Sequence, residues 1–212
     1  MNRDLVSIFF FAFRWLWRLA FSKLASRPVR EQVAPYRTAS MNILFGIMAL
    51  CVGVLRAEAE PIRIVAIGAS NTHGWYIGTQ AAYPAQLQAR LATAGIDAQV
   101  TNAGVPFDTT GTMNDRLERD VPRGTDIVIL QPGANDLRFL GTRERRAANI
   151  AAMRQRLQTR GIKVIVYDDD IPLRYYTLDF IHLTRDGHAM IAAALLPRVV
   201  ELVAARRGKS AQ

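Results

Sequence analysis

From Pro61 onward the sequence predicts an α/β protein, a parallel sheet of four or five strands between two layers of helices. Three observations predict it. Short β-branched runs alternate with longer stretches of helical periodicity. The runs are continuous in Val and Ile, as suits strands covered on both faces. Blocks bearing glycine and asparagine follow the first three runs, where an open parallel sheet keeps the loops that meet a ligand.

The strands are expected at Ile62–Ile67 (IRIVAI), Ala98–Thr101, Ile127–Leu130 (IVIL) and Val164–Tyr167 (VIVY). A helix is expected over Pro84–Ala94, with Pro in its first turn, Leu87 and Leu91 one turn apart and Gly95 as its stop. A second spans Arg143–Arg160, with Ala147, Ile150, Ala151 and Leu157 as its apolar stripe and Gly161 after it. Thr184 is placed to cap the last helix, which runs to about Arg206 and bends at Pro197. This defines a domain over residues 61–207 behind an extension over 1–60.

Of 212 residues, 50% are hydrophobic and 21% charged, a globular rather than a disordered composition. The net charge of +9 is unevenly spread: in residues 1–40 seven Lys or Arg face only Asp4 and Glu31, a net +5, and the far longer stretch from Pro61 onward holds another +5. In the domain, basic residues mix with acidic ones and form no stripe beside aromatics, which argues against a nucleic-acid partner. The only cysteine is Cys51, so no intrachain disulfide forms.

Residues 5–21 are strongly apolar, but Arg14 and Arg18 lie one turn apart, a pattern that suits a membrane-surface helix better than a span. Residues 41–59 open with Met41, continue through an apolar run and close in Ala57-Glu58-Ala59, the layout of a secretory signal peptide. Two readings stand: a cleaved signal that leaves a periplasmic or secreted protein, or retention of residues 1–59 as a membrane association. Both put the domain outside the cytoplasm.

Four blocks carry chemistry: Gly68-Ala69-Ser70-Asn71 after the first strand, Asn102-Ala103-Gly104-Val105 after the second, Gly133-Ala134-Asn135-Asp136 after the third, and Asp179-Phe180-Ile181-His182 before the last helix. In this order they resemble the SGNH/GDSL hydrolase family, and within it the bacterial thioesterase I/arylesterase group, over residues 62–206. The resemblance implies a flavodoxin-like strand order in a three-layer sandwich. It also implies Ser70 as nucleophile, His182 as general base, Asp179 as the orienter of His182 and Asn135 as a side-chain oxyanion donor. The chemistry is consistent. A serine hydroxyl needs a base near neutral pKa and a carboxylate to set that base's tautomer, and residues three apart on one turn can pair.

Each residue alone has a plainer reading: Ser70 as a helix cap, Asn135 and Asp136 as turn residues, His182 as a structural histidine. Trp75, Tyr76 and Tyr83 either line an acyl pocket or cover the core. His73, His188 and Asp168–Asp170 lack the short spacing of a zinc site, so neither a metal nor an organic cofactor is expected.

The chain departs from the family pattern in three places. Ala69 replaces the usual Asp before the nucleophile, and Phe107 stands where the oxyanion-hole glycine belongs, with Gly104 as the alternative donor. Only 11 steps separate Asp168 from Asp179, where relatives carry a further helix and strand. Those steps can cover roughly 36 Å, against a gap of about 10 Å if the fourth strand lies two places from the first. The expected activity is hydrolysis of a small-molecule acyl ester through an acyl-serine intermediate. Short acyl esters, lysophospholipids, acyl thioesters and O-acetylated glycans all remain open. The alternatives are a catalytically degenerate domain of the same type that binds an acyl or carbohydrate ligand, and a phosphate binder, which the missing G-x-G-x-x-G disfavours.

Overall fold

The Val/Ile runs become four parallel strands, β1 (Ile62–Gly68), β2 (Ala98–Gly104), β3 (Ile127–Gln131) and β4 (Lys163–Val166), ordered β2-β1-β3-β4. The computed structural model describes residues 60–138 and 141–210. The apolar segments at 5–21 and 41–59, with the signal-peptide and membrane readings placed on them, lie outside those residues.

Burial follows the sheet order. All five residues of β3 and the last five of β1 are buried, whereas β2 at one edge has no fully buried position. In the register Gly68 faces both Gly104 and Gln131, so the carboxyl ends of β2, β1 and β3 finish level. The residues that follow them emerge on one rim.

Among the described residues seven α-helices pack around the sheet: α1 (Ser70–His73), α2 (Tyr83–Thr93), α3 (Thr110–Asp115), α4 (Leu117–Asp120), α5 (Asn135–Arg138), α6 (Arg143–Thr159) and α7 (Arg185–Ser210). On one face Leu87 and Leu91 of α2 and Ile191, Leu195, Val199 and Val203 of α7 meet Ile64, Ile127, Ile129 and Ile165. On the other, Met113, Leu117, Met153 and Leu157 from α3, α4 and α6 meet Val65, Ile67, Val128 and Leu130. Alternate side chains of one strand thus feed separate cores, and the result is the three-layer α/β sandwich expected.

The ends of the helices have the expected causes. The Thr184 hydroxyl accepts from the Gly187 N–H at 3.2 Å and caps α7, and α7 continues through Pro197. Thr142 caps α6 by accepting from the Arg145 N–H at 3.2 Å. The α6 stripe differs from expectation. Ala147 and Ala151 are exposed, and Met153, one turn before Leu157, is the buried residue beside Ile150; the 3.6-residue period carries the two alanines off the sheet-facing side. Between β4 and α7 the described chain forms neither an α-helix nor a fifth strand. It makes a 3₁₀ turn, Leu173–Tyr175, and an isolated antiparallel bridge between Tyr176 and Leu183. β4 lies two places from β1, so the short connection spans the gap.

Candidate active site

The nucleophile candidate sits on a turn held by packing. A side chain at Gly68 would collide with Thr72, and one at Gly104 with the His73 backbone, so both glycines permit close approach to α1. The buried Thr72 hydroxyl donates to Gln131 Oε1 at 2.6 Å, and Asn102 Nδ2 donates to the Thr72 carbonyl at 2.8 Å. Loops from three strands thereby fix α1. Its N-cap is Ala69 and Ser70 is its first residue, so Ser70 does not cap the helix. The Ser70 hydroxyl has no hydrogen-bond partner among the described residues.

Asp179 and His182 form a tightly bonded loop. Asp179 Oδ2 lies 2.6 Å from His182 Nδ1. Its Oδ1 accepts from the backbone N–H of His182 at 2.9 Å, the N–H of Ile181 at 2.9 Å and the Thr177 hydroxyl at 2.7 Å. The His182 backbone N–H above all, then its ring, hold the Asp179 carboxyl far below the usual carboxylate range. With Nδ1 turned to Asp179, Nε2 is left without a protein partner among the described residues.

Two sets of contacts bring this loop to α1. Asn71 Nδ2 donates to the Ile181 carbonyl at 3.0 Å, and Asn71 Oδ1 accepts from the Leu183 N–H at 2.9 Å, so Asn71 grips the chain on both sides of His182. Trp75 stacks on the imidazole with centroids 5.7 Å apart, and Tyr76 meets it at right angles at 5.1 Å. Ser70, Asn71, Phe180 and Ile181 line a common cleft of about 450 Å³. Asp179 and His182 are thus joined directly, whereas Ser70 shares a cleft with Phe180 and Ile181 of their loop and makes no hydrogen bond to His182. Catalytic hydrogen bonds commonly tighten only when substrate binds.

The third group supplies donors. Asn135 begins α5, and its Nδ2 gives one N–H to the Asp108 carbonyl at 2.8 Å; a primary amide carries a second. The buried Asp136 fixes the segment, accepting from the Thr110 hydroxyl at 2.5 Å and the Thr110 N–H at 3.0 Å. Phe107 has φ +69, a left-handed conformation natural to glycine, and its N–H meets no acceptor among the described residues. Gly104, by contrast, already donates its N–H to Asn102 Oδ1 at 3.0 Å. Its small size serves the contact with α1.

Asn71 and Arg116, to which the sequence assigned no role, also shape the site, as does Trp75, which it placed either at an acyl pocket or over the core. Asn71 joins the Ser70 turn to the Asp179–His182 loop. Trp75 holds the imidazole face. Buried Arg116 pairs with Asp108 at 2.5 Å and donates to the Gly68 carbonyl at 3.1 Å, tying the β1 and β2 loops together. Tyr83, by contrast, is wholly buried and belongs to the core. Asp168 pairs with Arg146 and Asp169 with Arg198, and His188 is buried beneath α2. Among the described residues no three His, Cys, Asp or Glu side chains converge as metal ligands do.

A parallel sheet whose rim gathers a serine, an Asp–His pair and an asparagine amide fits a hydrolase. The model of the GDSL-like lipase/acylhydrolase family matches residues 66–192, from β1 into α7, and the chain belongs to that family, whose members make it an esterase. Esterase TesA of Pseudomonas aeruginosa is 29% identical over 177 residues, 78% of this chain and 84% of its own. A crystal structure of TesA superposes with a TM-score of 0.61 at 20% identity, over 66% of this chain and 99% of that one. The psychrotrophic esterase EstA from Pseudoalteromonas sp., inhibited by monoethylphosphonate, does so at 0.59 and 13%, over 67% and 98%. At these identities the two structures speak for the fold.

Proposed function

We propose that the chain hydrolyses carboxylic esters or thioesters through an acyl-Ser70 intermediate. His182 Nε2 takes the Ser70 proton as Oγ attacks the acyl carbon. The amide N–H of Asn135 and the backbone N–H of Phe107 stabilise the oxyanion, and His182 returns the proton to the departing alcohol or thiol. Water, activated by the same imidazole, then releases the acid and frees Ser70. Asp179 stays ionised throughout and keeps the imidazole in the Nδ1–H tautomer. The observation that carries this reading is the 2.6 Å Asp179–His182 pair, whose other nitrogen is uncommitted, on a loop that Asn71 binds beside Ser70.

The test is reaction with a fluorophosphonate, which mimics the tetrahedral intermediate. Labelling at Ser70, lost in Ser70→Ala and His182→Ala, is expected. A folded protein that neither labels nor turns over an aryl ester would instead hold its ligand without catalysis, and labelling at another serine would overturn the site. We take residues 61–207 as the catalytic domain and residues 41–59 as its export signal, giving a periplasmic or secreted enzyme that begins at Glu60. N-terminal sequencing of the exported protein checks this, and intact residues 1–59 on a membrane-bound protein would refute it.

A further inference from the structure

The two sides of Ser70 differ in chemistry. Toward β2 lie Trp75, Tyr76 and Phe107, with the Trp75 and Phe107 rings 5.6 Å apart and Phe107 67% exposed. Toward β3 and β4 lies the 450 Å³ cleft, whose wall carries Arg138, Arg143, Arg146, Asp168, Asp169 and Asp170. Most of that charge is internally matched: Arg146 pairs with Asp168, and Asp169 with Arg198 at 3.6 Å. Arg138 and Arg143 make no hydrogen bond or ion pair among the described residues, although Glu144 lies within electrostatic reach of Arg143. Asp170 is the one acid of the wall outside an ion pair, so on the wall itself two unpaired arginines stand against one unpaired aspartate.

An arginine presents a fork of donors suited to a planar oxyanion, and two in one wall can share it. We infer that the cleft between the β3 and β4 loops is a subsite for an anionic group, and that the preferred substrates are esters with a carboxylate or phosphate on one half and an apolar group on the other. This rests on the esterase reading above and adds its substrate class. The apolar half faces Trp75 and Phe107, and the charged half lies along Arg138 and Arg143.

Matched esters test it. With the full chain, kcat/KM is compared for 4-acetoxybenzoate, 4-acetoxyphenyl phosphate and the neutral 4-acetoxybenzamide, and for 4-nitrophenyl hemisuccinate against 4-nitrophenyl butyrate. The first set places the charge on the leaving alcohol, the second on the acyl group, and the phosphate arm separates the two anions. A preference for the anion of about tenfold is expected in one set, since each partly open charge pair contributes up to about fivefold. It is expected to fall toward unity in Arg138→Gln/Arg143→Gln, to weaken with added salt and to rise in Asp170→Asn. No preference in either set, or one that survives both arginine replacements, overturns the subsite. Calorimetry with the non-hydrolysable 4-acetamidobenzoate and its neutral amide reads the same charge preference without turnover, so failure of the esterase chemistry and failure of the subsite are told apart.

Discussion

His188 gives the protein an acid-sensitive stability that can be isolated by one substitution. The side chain is fully buried. Its Nδ1 accepts from the Tyr83 N–H at 3.1 Å, at the first turn of α2, and its Nε2 is buried with no partner. Because Nδ1 accepts, the ring is neutral with its proton on Nε2. A second proton would set two donors face to face in an apolar core, and burial pushes the pKa down from 6.5 to about 4. In the unfolded chain the ring keeps its ordinary value, so between pH 6.5 and 4 the unfolded state binds more protons. The contribution is therefore fully present above about pH 6.5 and is lost as pH falls toward 4, by about 3 kcal/mol at about 1.4 kcal/mol per pH unit. Asp179, with its depressed pKa, loses its contribution only below the ordinary carboxylate range, outside this window. His188→Asn keeps an acceptor near the Nδ1 position but cannot titrate. Urea unfolding at pH 7 and pH 4.5 is expected to show the variant less stable by about 1–2 kcal/mol at pH 7, from the smaller side chain, with that gap closing or reversing at pH 4.5. Parallel loss of stability in both proteins would refute the tautomer and burial argument.

Three substitutions probe the site itself. In Asp179→Asn, Oδ1 can keep its three donors while an NH₂ group faces His182 Nδ1 and imposes the wrong tautomer, so ester hydrolysis should slow by up to about 10⁴-fold with little change in thermal midpoint. Asn71→Ala removes both hydrogen bonds that flank His182 and should lower kcat by about 10²-fold with KM little changed; a loss confined to KM would mean that Asn71 contacts substrate instead. Phe107→Gly relieves a left-handed phenylalanine, a strain of about 1 kcal/mol or more, and opens the aromatic side of Ser70. Chain-length profiles should therefore shift toward longer acyl groups, and an unchanged profile would remove Phe107 from the acyl path.

The sheet and the placing of the four polar blocks were legible because both rest on local signals: continuous β-branched runs, and polar residue types in the loops beyond them. The links between the blocks were not. Asn71 lies 110 positions from Ile181, and only the strand order that sets β1 beside β3, with β4 beyond, puts them within bonding distance. The α6 stripe failed for a simpler reason, since alanines carry so little apolar signal that two exposed ones can stand in for a buried methionine. Phe107 shows the deeper limit. A left-handed backbone is normally read from glycine, and the sequence at 107 hides it, yet the structure keeps φ at +69 there. The other non-glycine residues with positive φ among those described are Tyr76 and Phe180, also aromatic and also exposed. Tyr76 packs on the imidazole of His182, and Phe180 lies between Asp179 and His182 in sequence. Such conformations persist only where the surroundings over-determine them, and with all three side chains exposed it is the loops of this rim rather than the core that hold them.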